Sequence, residues 1–304
     1  MVEKCFLVSG SQLWQWRNQA IKEAIATNVP PGEVDWLLQE IAGLDRLALR
    51  LGTVQDSTQI PMQLSLEELD QLWKKRLSDR FPVQYLAGVT PWRRFKLAVS
   101  NAVLIPRPET ELLIDLTLSA VANSPIKTRL EQGLWADLGT GSGAIALGLA
   151  QALPQAKICA VDISADALAI AQKNAQNIDN FSQRIEFYQG SWWQPLTHLK
   201  GQFSGMVSNP PYIPSQILPT LQPEVFEHEP HLALDGGADG LDCIRHLIAV
   251  SPDYVHSGGL WLIEMMAGQA ETVQELLINN GNYEHIQIYA DLAGIERFAV
   301  AYVK

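Results

Sequence analysis

The sequence predicts an α/β chain in which a small helical bundle and a β-hairpin linker precede an open α/β sheet domain. Three observations carry this. Short apolar runs of strand length recur from Leu134 to Tyr302. The first of them runs directly into a glycine-rich loop and then a helical pattern, the texture of a strand–loop–helix unit. The first eighty residues, in contrast, repeat their apolar positions at helical spacing and show no strand pattern. The expected boundaries are 1–80 for the helical domain, 81–110 for the linker and 111–304 for the sheet domain.

In the helical part, Ser11 is placed to cap a helix carrying Leu13, Trp14, Trp16, Ile21 and Ile25. Pro30-Pro31-Gly32 breaks it. Val34, Leu37, Leu38 and Ile41 then repeat up to Gly43. Ser65-Leu66-Glu67-Glu68 reads as a capping box opening a third helix with Leu69, Leu72, Trp73 and Leu77. No catalytic constellation lies here, and a separate function for this part is the docking of a partner.

From Phe81 the texture changes. Pro82–Gly88, the weakly alternating Trp92–Val99 and then Val103-Leu104-Ile105 suggest a hairpin between two domains. The segment Pro106-Arg107-Pro108-Glu109-Thr110-Glu111 follows. It reads either as a stiff turn into a helix over 112–122 or as one wall of a ligand pocket.

Leu134-Trp135-Ala136-Asp137-Leu138 is a buried strand, followed by Gly139-Thr140-Gly141-Ser142-Gly143 and a helix over 144–153. Such glycines let backbone approach a ligand, and the helix start offers free N–H groups. Val161-Asp162 ends the next strand, where an acid can hold both ribose hydroxyls. The loop also fits the dinucleotide pattern G-x-G-x-x-A. Two details favour an amino-acid-bearing nucleoside without phosphates, S-adenosylmethionine. Asp137 sits before the first glycine, where it can meet a ligand ammonium, and the third glycine is again alternate, at Gly143. After the strand Arg184–Tyr188, either Trp192 or Trp193 can stack on the base, the other being core.

The strand Phe203–Ser208 ends at Asn209-Pro210-Pro211-Tyr212. Two prolines cannot continue a ladder, so the backbone turns out as a stiff corner. The Asn209 side-chain oxygen and the Pro210 carbonyl can each accept one hydrogen of a planar NH2 group, and Tyr212 can lie against its plane. A rigid turn with a packing tyrosine is the plainer reading of that tetrapeptide alone. Two later strands are expected over 259–264 and 298–302, with Glu264 either paired with substrate or, the preferred reading, solvated at a strand end. Gly236–Asp242 reads as a flexible turn, suited to a lid or substrate loop.

Composition narrows the functions. A net charge of −11 offers no basic face for gripping nucleic acid phosphates. Cys5, Cys159 and Cys243 lack metal or disulfide spacing and read as reduced thiols of a cytoplasmic protein, Cys159 in the core. His228 and His231 flank Glu229-Pro230 with no third ligand placed by spacing, so no metal site is expected. The first sixteen residues lack the pattern of a signal peptide, and no apolar run approaches bilayer length.

Together these residues resemble the PrmC (HemK) family, protein-(glutamine-N5) methyltransferases acting on class 1 peptide chain release factors. Ile105–Glu111 (IPRPETE) resembles that family's interdomain signature. Asp137–Gly143 (DLGTGSG), Val161-Asp162, Asn209–Tyr212 (NPPY) and Leu234–Asp242 (LDGGADGLD) resemble its later motifs, so the likeness covers nearly the whole chain. It implies a class I Rossmann-like S-adenosylmethionine-dependent methyltransferase domain after a helical substrate-docking domain; a cytoplasmic monomer is expected. It implies that Asp137, Gly139, Thr140, Gly141, Ser142, Gly143, Asp162, Trp192 and Asn209 bind S-adenosylmethionine. Asn209, Pro210, Pro211 and Tyr212 would hold the glutamine of the release factor's Gly-Gly-Gln motif, with Asn209, Pro210 and Tyr212 catalytic. Where many relatives carry an acid before the tryptophan this chain has Ser191, so stacking by Trp192 is implied without a carboxylate on the adenine amino group. Met266 stands where relatives have glycine. Two rival readings are an adenine N6 methyltransferase, against which the acidic balance weighs, and a non-catalytic S-adenosylmethionine-binding module, against which the intact NPPY corner weighs.

Overall fold

The computed structural model describes residues 6–178 and 181–304, so Cys5 lies outside the described residues. The chain forms two compact units, one of residues up to Val89 together with Pro223–His228, the other of Thr90–Gln222 and Glu229–Lys304.

The first unit contains β1 (Phe6–Val8), α1 (Gly10–Ala26), α2 (Gly32–Ala42), α3 (Arg46–Leu51), β2 (Ile60–Met62), α4 (Leu66–Ser78) and α5 (Val83–Ala87). Leu13, Leu37, Leu38, Leu69 and Trp73 are wholly buried in its core, as helical spacing predicts. Three details differ from expectation. The α1 cap is Ser9 and not Ser11: the extended backbone of Ser9 lets its hydroxyl accept from Gln12 N, while Gln12 Oε1 accepts from Ser9 N, a full capping box. Helix α3 is a short helix where the sequence pattern predicts none. Strands β1 and β2 pair antiparallel, Phe6 opposite Met62 and Val8 opposite Ile60, in a region that reads as wholly helical. Three residues give too short an alternation to register, although Val8, Ile60 and Met62 all enter the helical core. The Ser65 capping box forms as expected, with Ser65 Oγ accepting from Glu68 N at 3.2 Å and Glu68 Oε2 accepting from Ser65 N at 2.8 Å. Ser65→Ala should therefore cost about 1 kcal/mol in a chemical-denaturation series.

The second unit opens with the hairpin β3 (Val89–Trp92) and β4 (Phe95–Ala98), whose first residue still belongs to the first unit. Val103–Ile105, read with the hairpin, is not a strand. Then come α6 (Leu112–Asn123), α7 (Lys127–Gln132), β5 (Leu134–Leu138), α8 (Ala144–Ala152), β6 (Lys157–Asp162), α9 (Ala165–Gln176), β7 (Ile185–Gln189) and β8 (Phe203–Ser208). After α10 (Pro223–Phe226) come α11 (Asp242–Val250), β9 (Val255–Glu264), α12 (Ala270–Asn280), β10 (Tyr283–Ala290) and β11 (Glu296–Val303).

The seven-stranded sheet has the order β10-β11-β9-β8-β5-β6-β7. Its five strands from β9 to β7 run parallel; β11 pairs antiparallel with β9, and β10, antiparallel to β11, again runs in the direction of the five. Successive residues of the central strands enter different cores: Trp135, Ile158, Ala160 and Val207 pack with α6 and α8, whereas Ala136, Cys159, Val161 and Met206 pack with α11 and α12. The result is the expected Rossmann-like α/β fold, a sheet covered on both faces, which is why these strands read as unbroken apolar runs. After β5 the chain turns to β6 and β7 on one side. It then returns to β8 on the other, leaving a crevice at the carboxyl ends of β5 and β8.

The hexapeptide Pro223–His228 interrupts this second unit in sequence and packs within the first. Glu224 Oε1 accepts from Arg76 Nη1 at 2.9 Å and pairs with Arg80 at 2.7 Å, while Glu33 takes the other edge of the Arg76 guanidinium. Arg76 is 3% exposed, so both carboxylates compensate a buried charge. His228 Nε2 is bonded to Asp79 O and its ring meets Phe81 edge-on, so this histidine is a local anchor.

Candidate active site

A cavity of about 340 Å³ opens at the carboxyl ends of β5, β6 and β8. Its floor is the loop Gly139–Gly143, in which all three glycines take positive φ, between +53° and +82°. The loop is held from below: Gly139 N and Thr140 N both donate to Val161 O at 2.9 Å. A Cβ at Gly141 would meet nothing within 4 Å, so that position faces open space where a ligand can lie against backbone. A Cβ at Gly143 would come 3.1 Å from Ala171 Cβ; this glycine serves the packing of α8 on α9.

Asp162 ends β6 half-buried on the cavity wall. Its Oδ2 accepts from Gly141 N at 2.8 Å and its Oδ1 from Ser164 N at 2.9 Å. Each oxygen keeps a further lone pair for an outside donor. Burial raises its pKa. Trp192 borders the cavity beside Gly139 with φ at +49°, a conformation a bulky side chain adopts only when its surroundings impose it. Those surroundings include Trp193, buried, stacked on Tyr254 at 4.6 Å and donating to Ser251 Oγ at 3.0 Å. The two adjacent tryptophans thus divide, one to the cavity and one to the core.

Asp137 is wholly buried beneath the loop and does not line the cavity. Its Oδ2 accepts from Thr140 Oγ1 at 2.5 Å and Ala146 N at 2.9 Å, tying loop to helix, and its Oδ1 has no partner among the described residues. Burial, with some repulsion from Asp162, pushes its carboxyl up to about 7 against those two hydrogen bonds. The ordinary value is 3.8, so the buried group favours its neutral form and the folded protein loses stability as pH rises from about 4 through about 7. Asn at this place keeps an oxygen for both donors and does not titrate. The melting-temperature difference, D137N minus wild type, should therefore grow between about pH 5 and about pH 8.

The Asn209–Tyr212 corner leaves β8 as predicted. Ser208 Oγ donates to Leu138 O, locking the strand end. Asn209 and Pro211 line the cavity, Pro210 is buried, and Tyr212 turns its hydroxyl away to Glu264 Oε1 at 3.0 Å. The loop before α11 is a bracket for this corner rather than a free turn. Ile213 N donates to Leu234 O, Gly236 N donates to Ile213 O, and Gln269 Nε2 donates to Tyr212 O, all at 2.9 to 3.0 Å. Gly240, at φ +76°, lies so close that a Cβ would stand 2.3 Å from Tyr212 O.

Glu264 departs from expectation. It is 2% exposed and accepts from Thr110 Oγ1 at 2.6 Å as well as from Tyr212, so it is no solvated strand end. Burial raises its pKa. Thr110 in turn accepts from Asn209 Nδ2 at 3.1 Å, so the segment Pro106–Glu111 is both a turn into α6 and a cavity wall. Arg107, also on that wall, donates to both oxygens of the buried Glu229.

Among the described residues no group of three or more His, Cys, Asp or Glu side chains is placed to hold a metal. Cys159 is buried in β6, and Cys243, half-buried at the start of α11, borders the cavity. S-adenosylmethionine does fit the residues present: open backbone at Gly141, a half-buried carboxylate with spare lone pairs at Asp162, and a broad aromatic face at Trp192 bound a cavity of about 340 Å³.

Residues 116–238 match the family model described as Methyltransferase small domain. Over 299 residues, 97% of each chain, the sequence is 53% identical to the release factor glutamine methyltransferase of Synechocystis sp.. The chain belongs to the release factor glutamine methyltransferase family. A second such enzyme, from Thermosynechococcus vestitus, is 44% identical over 95% of this chain and 96% of its own. This methyltransferase also shares its fold with the hMettl16 catalytic domain solved with the MAT2A 3′UTR hairpin 6, at TM-score 0.54, 14% identity and coverage of 68% and 75% of the two chains. The resemblance drawn from the motifs is therefore borne out, as is the fold class. Thr110 and Glu264, which hold the Asn209–Tyr212 corner, are not among the residues that the motifs single out for binding or catalysis. Thr110 lay inside the recognised IPRPETE segment, but its partner is 154 positions away.

Proposed function

We propose that this chain transfers a methyl group from S-adenosylmethionine to the side-chain amide nitrogen of the glutamine in the Gly-Gly-Gln motif of class 1 peptide chain release factors. The observation that carries this is the orientation of Asn209. Its Nδ2 is spent on Thr110, so its Oδ1 is the end left to an incoming N–H, at the edge of a cavity suited to the methyl donor.

In this reading Asp162 holds the ribose hydroxyls, Trp192 flanks the base, and the backbone of the loop Gly139–Gly143 carries the amino-acid end, with Asp137 beneath it. When bound, S-adenosylmethionine supplies an electrophilic methyl on a sulfonium. The chain's task is the acceptor. An amide nitrogen is a poor nucleophile because its lone pair is delocalised into the carbonyl. Asn209 Oδ1 and the Pro210 carbonyl each accept one N–H, which fixes the NH2 group and aims its lone pair along the transfer line. The same two oxygens stabilise the positive charge that grows on nitrogen. They hold the surplus proton until water takes it, so no strong base is required. Tyr212 and Pro211 wall the acceptor. Residues 1–80 dock the release factor, and the enzyme acts as a cytoplasmic monomer. Among the described residues no helix is long and apolar enough to cross a membrane.

The test is transfer of labelled methyl to a purified class 1 release factor and to its Gly-Gly-Gln variant with Gln changed to Ala. Label on the wild-type factor alone is expected. Absence of label from both, with S-adenosylmethionine still bound, would overturn the assignment.

A further inference from the structure

Asn209 presents an amide whose two ends differ in chemistry but hardly in shape. An acceptor NH2 is held only if oxygen faces it; a flipped amide would present its own N–H groups to the substrate's. Something must choose between the two orientations, and the choice is visible in a buried chain of hydrogen bonds. Glu264, 2% exposed, receives two hydroxyl donors, Thr110 Oγ1 at 2.6 Å on Oε2 and Tyr212 OH at 3.0 Å on Oε1. Thr110, itself 4% exposed, has a single hydroxyl hydrogen and gives it to the carboxylate. Its oxygen is thereby left as an acceptor towards Asn209, whose Nδ2 donates to it at 3.1 Å. If the Asn209 amide flipped, its Oδ1 would face an oxygen with no hydrogen left, two acceptors opposed in a half-buried place.

We propose that Glu264 and Thr110 form a polarity relay, running from the carboxylate through the hydroxyl to the amide, that holds Asn209 with its Oδ1 towards the methyl-accepting nitrogen. Both are positioning residues: they act through Asn209, and Tyr212 is fixed by the same carboxylate. This deepens the glutamine-amide assignment and rests on it for the identity of the acceptor. The relay itself depends only on the acceptor being an N–H group. It accounts for a fully buried acid at the end of β9, a costly residue unless its lone pairs direct something.

The experiment compares wild type, T110V, T110S, N209A and the double variant N209A/T110V. Valine matches threonine in shape and removes the acceptor; serine restores it. For T110V the expected result is a kcat lowered roughly tenfold or more on the release factor. The KM for the release factor and the dissociation constant for S-adenosylmethionine should stay within about twofold, with recovery in T110S. If Thr110 acts through Asn209, T110V should lower the residual rate of N209A by much less than it lowers that of wild type. The relay is overturned if T110V keeps kcat, if its loss lies in S-adenosylmethionine affinity, or if it cuts N209A and wild type by the same factor. Failure of the acceptor assignment is seen separately, as wild type leaving the release factor unlabelled. In that case the side-chain amide 15N–1H pair of Asn209, assigned by its absence from N209A, decides. One slowly exchanging hydrogen in wild type that becomes fast in T110V supports the relay, and equal exchange in both rejects it.

Discussion

Replacing Asn209 by alanine is expected to lower kcat by about 10²–10³-fold while leaving the dissociation constant for S-adenosylmethionine nearly unchanged. The magnitude follows from losing one of two preorganised acceptors that meet charge only as the transition state forms. The side chain is half-buried and, among the described residues, bonds Thr110 alone, so truncation removes little packing. Single-turnover label transfer and an independent binding titration separate the two effects. A variant with near-normal turnover would show that the corner does not orient the acceptor, and the mechanism above would fall with it.

The largest effect on stability is expected at Trp135. This side chain is wholly buried on β5, donates to Leu130 O at 2.9 Å, and occupies a notch that exists because β8 carries Gly205 opposite it. A Cβ on Gly205 would stand 2.4 Å from the Trp135 ring. Trp135→Ala should cost about 3–5 kcal/mol, because transfer and cavity terms add and the surrounding sheet cannot collapse into the space. Calorimetry should then show the melting transition of this unit lowered by roughly 10 °C. Gly205→Ala should be destabilising too, by overpacking the same notch from the other side.

What could be read without the structure divides along a physical line. Strands β5, β6 and β8 are covered on both faces, so each carries a run of apolar residues; β5 stops before Gly139, β6 at Asp162 and β8 just before Asn209-Pro210. The positions of Gly139, Asp162 and Asn209 around one cavity follow from where those strands end, and that of Trp192 from the end of β7. Strand β10, half exposed at the sheet edge, and the three-residue strands β1 and β2 carry too little periodicity to be seen. The α1 cap was displaced by two residues because Ser9 and Ser11 both offer a hydroxyl, and only Ser9 has Gln12 three positions on. Glu264 escapes the sequence for a different reason. A carboxylate at a strand end is usually wet, and the hydroxyls that bury this one come from residues 154 and 52 positions away. Local pattern carries the ends of strands; it does not carry who meets there.

The anchoring of Pro223–His228 through Glu224 has a consequence for how such an enzyme can be taken apart. The helical unit is discontinuous in the gene: one long stretch at the start and six codons far downstream. Neither a truncation nor a swap at a single junction can isolate it, for either operation strands Arg76 without one of its carboxylates. Recombination between relatives would have to exchange both stretches together. The six-residue loop is therefore expected to vary in step with the helices that hold it rather than with the sheet domain whose sequence surrounds it.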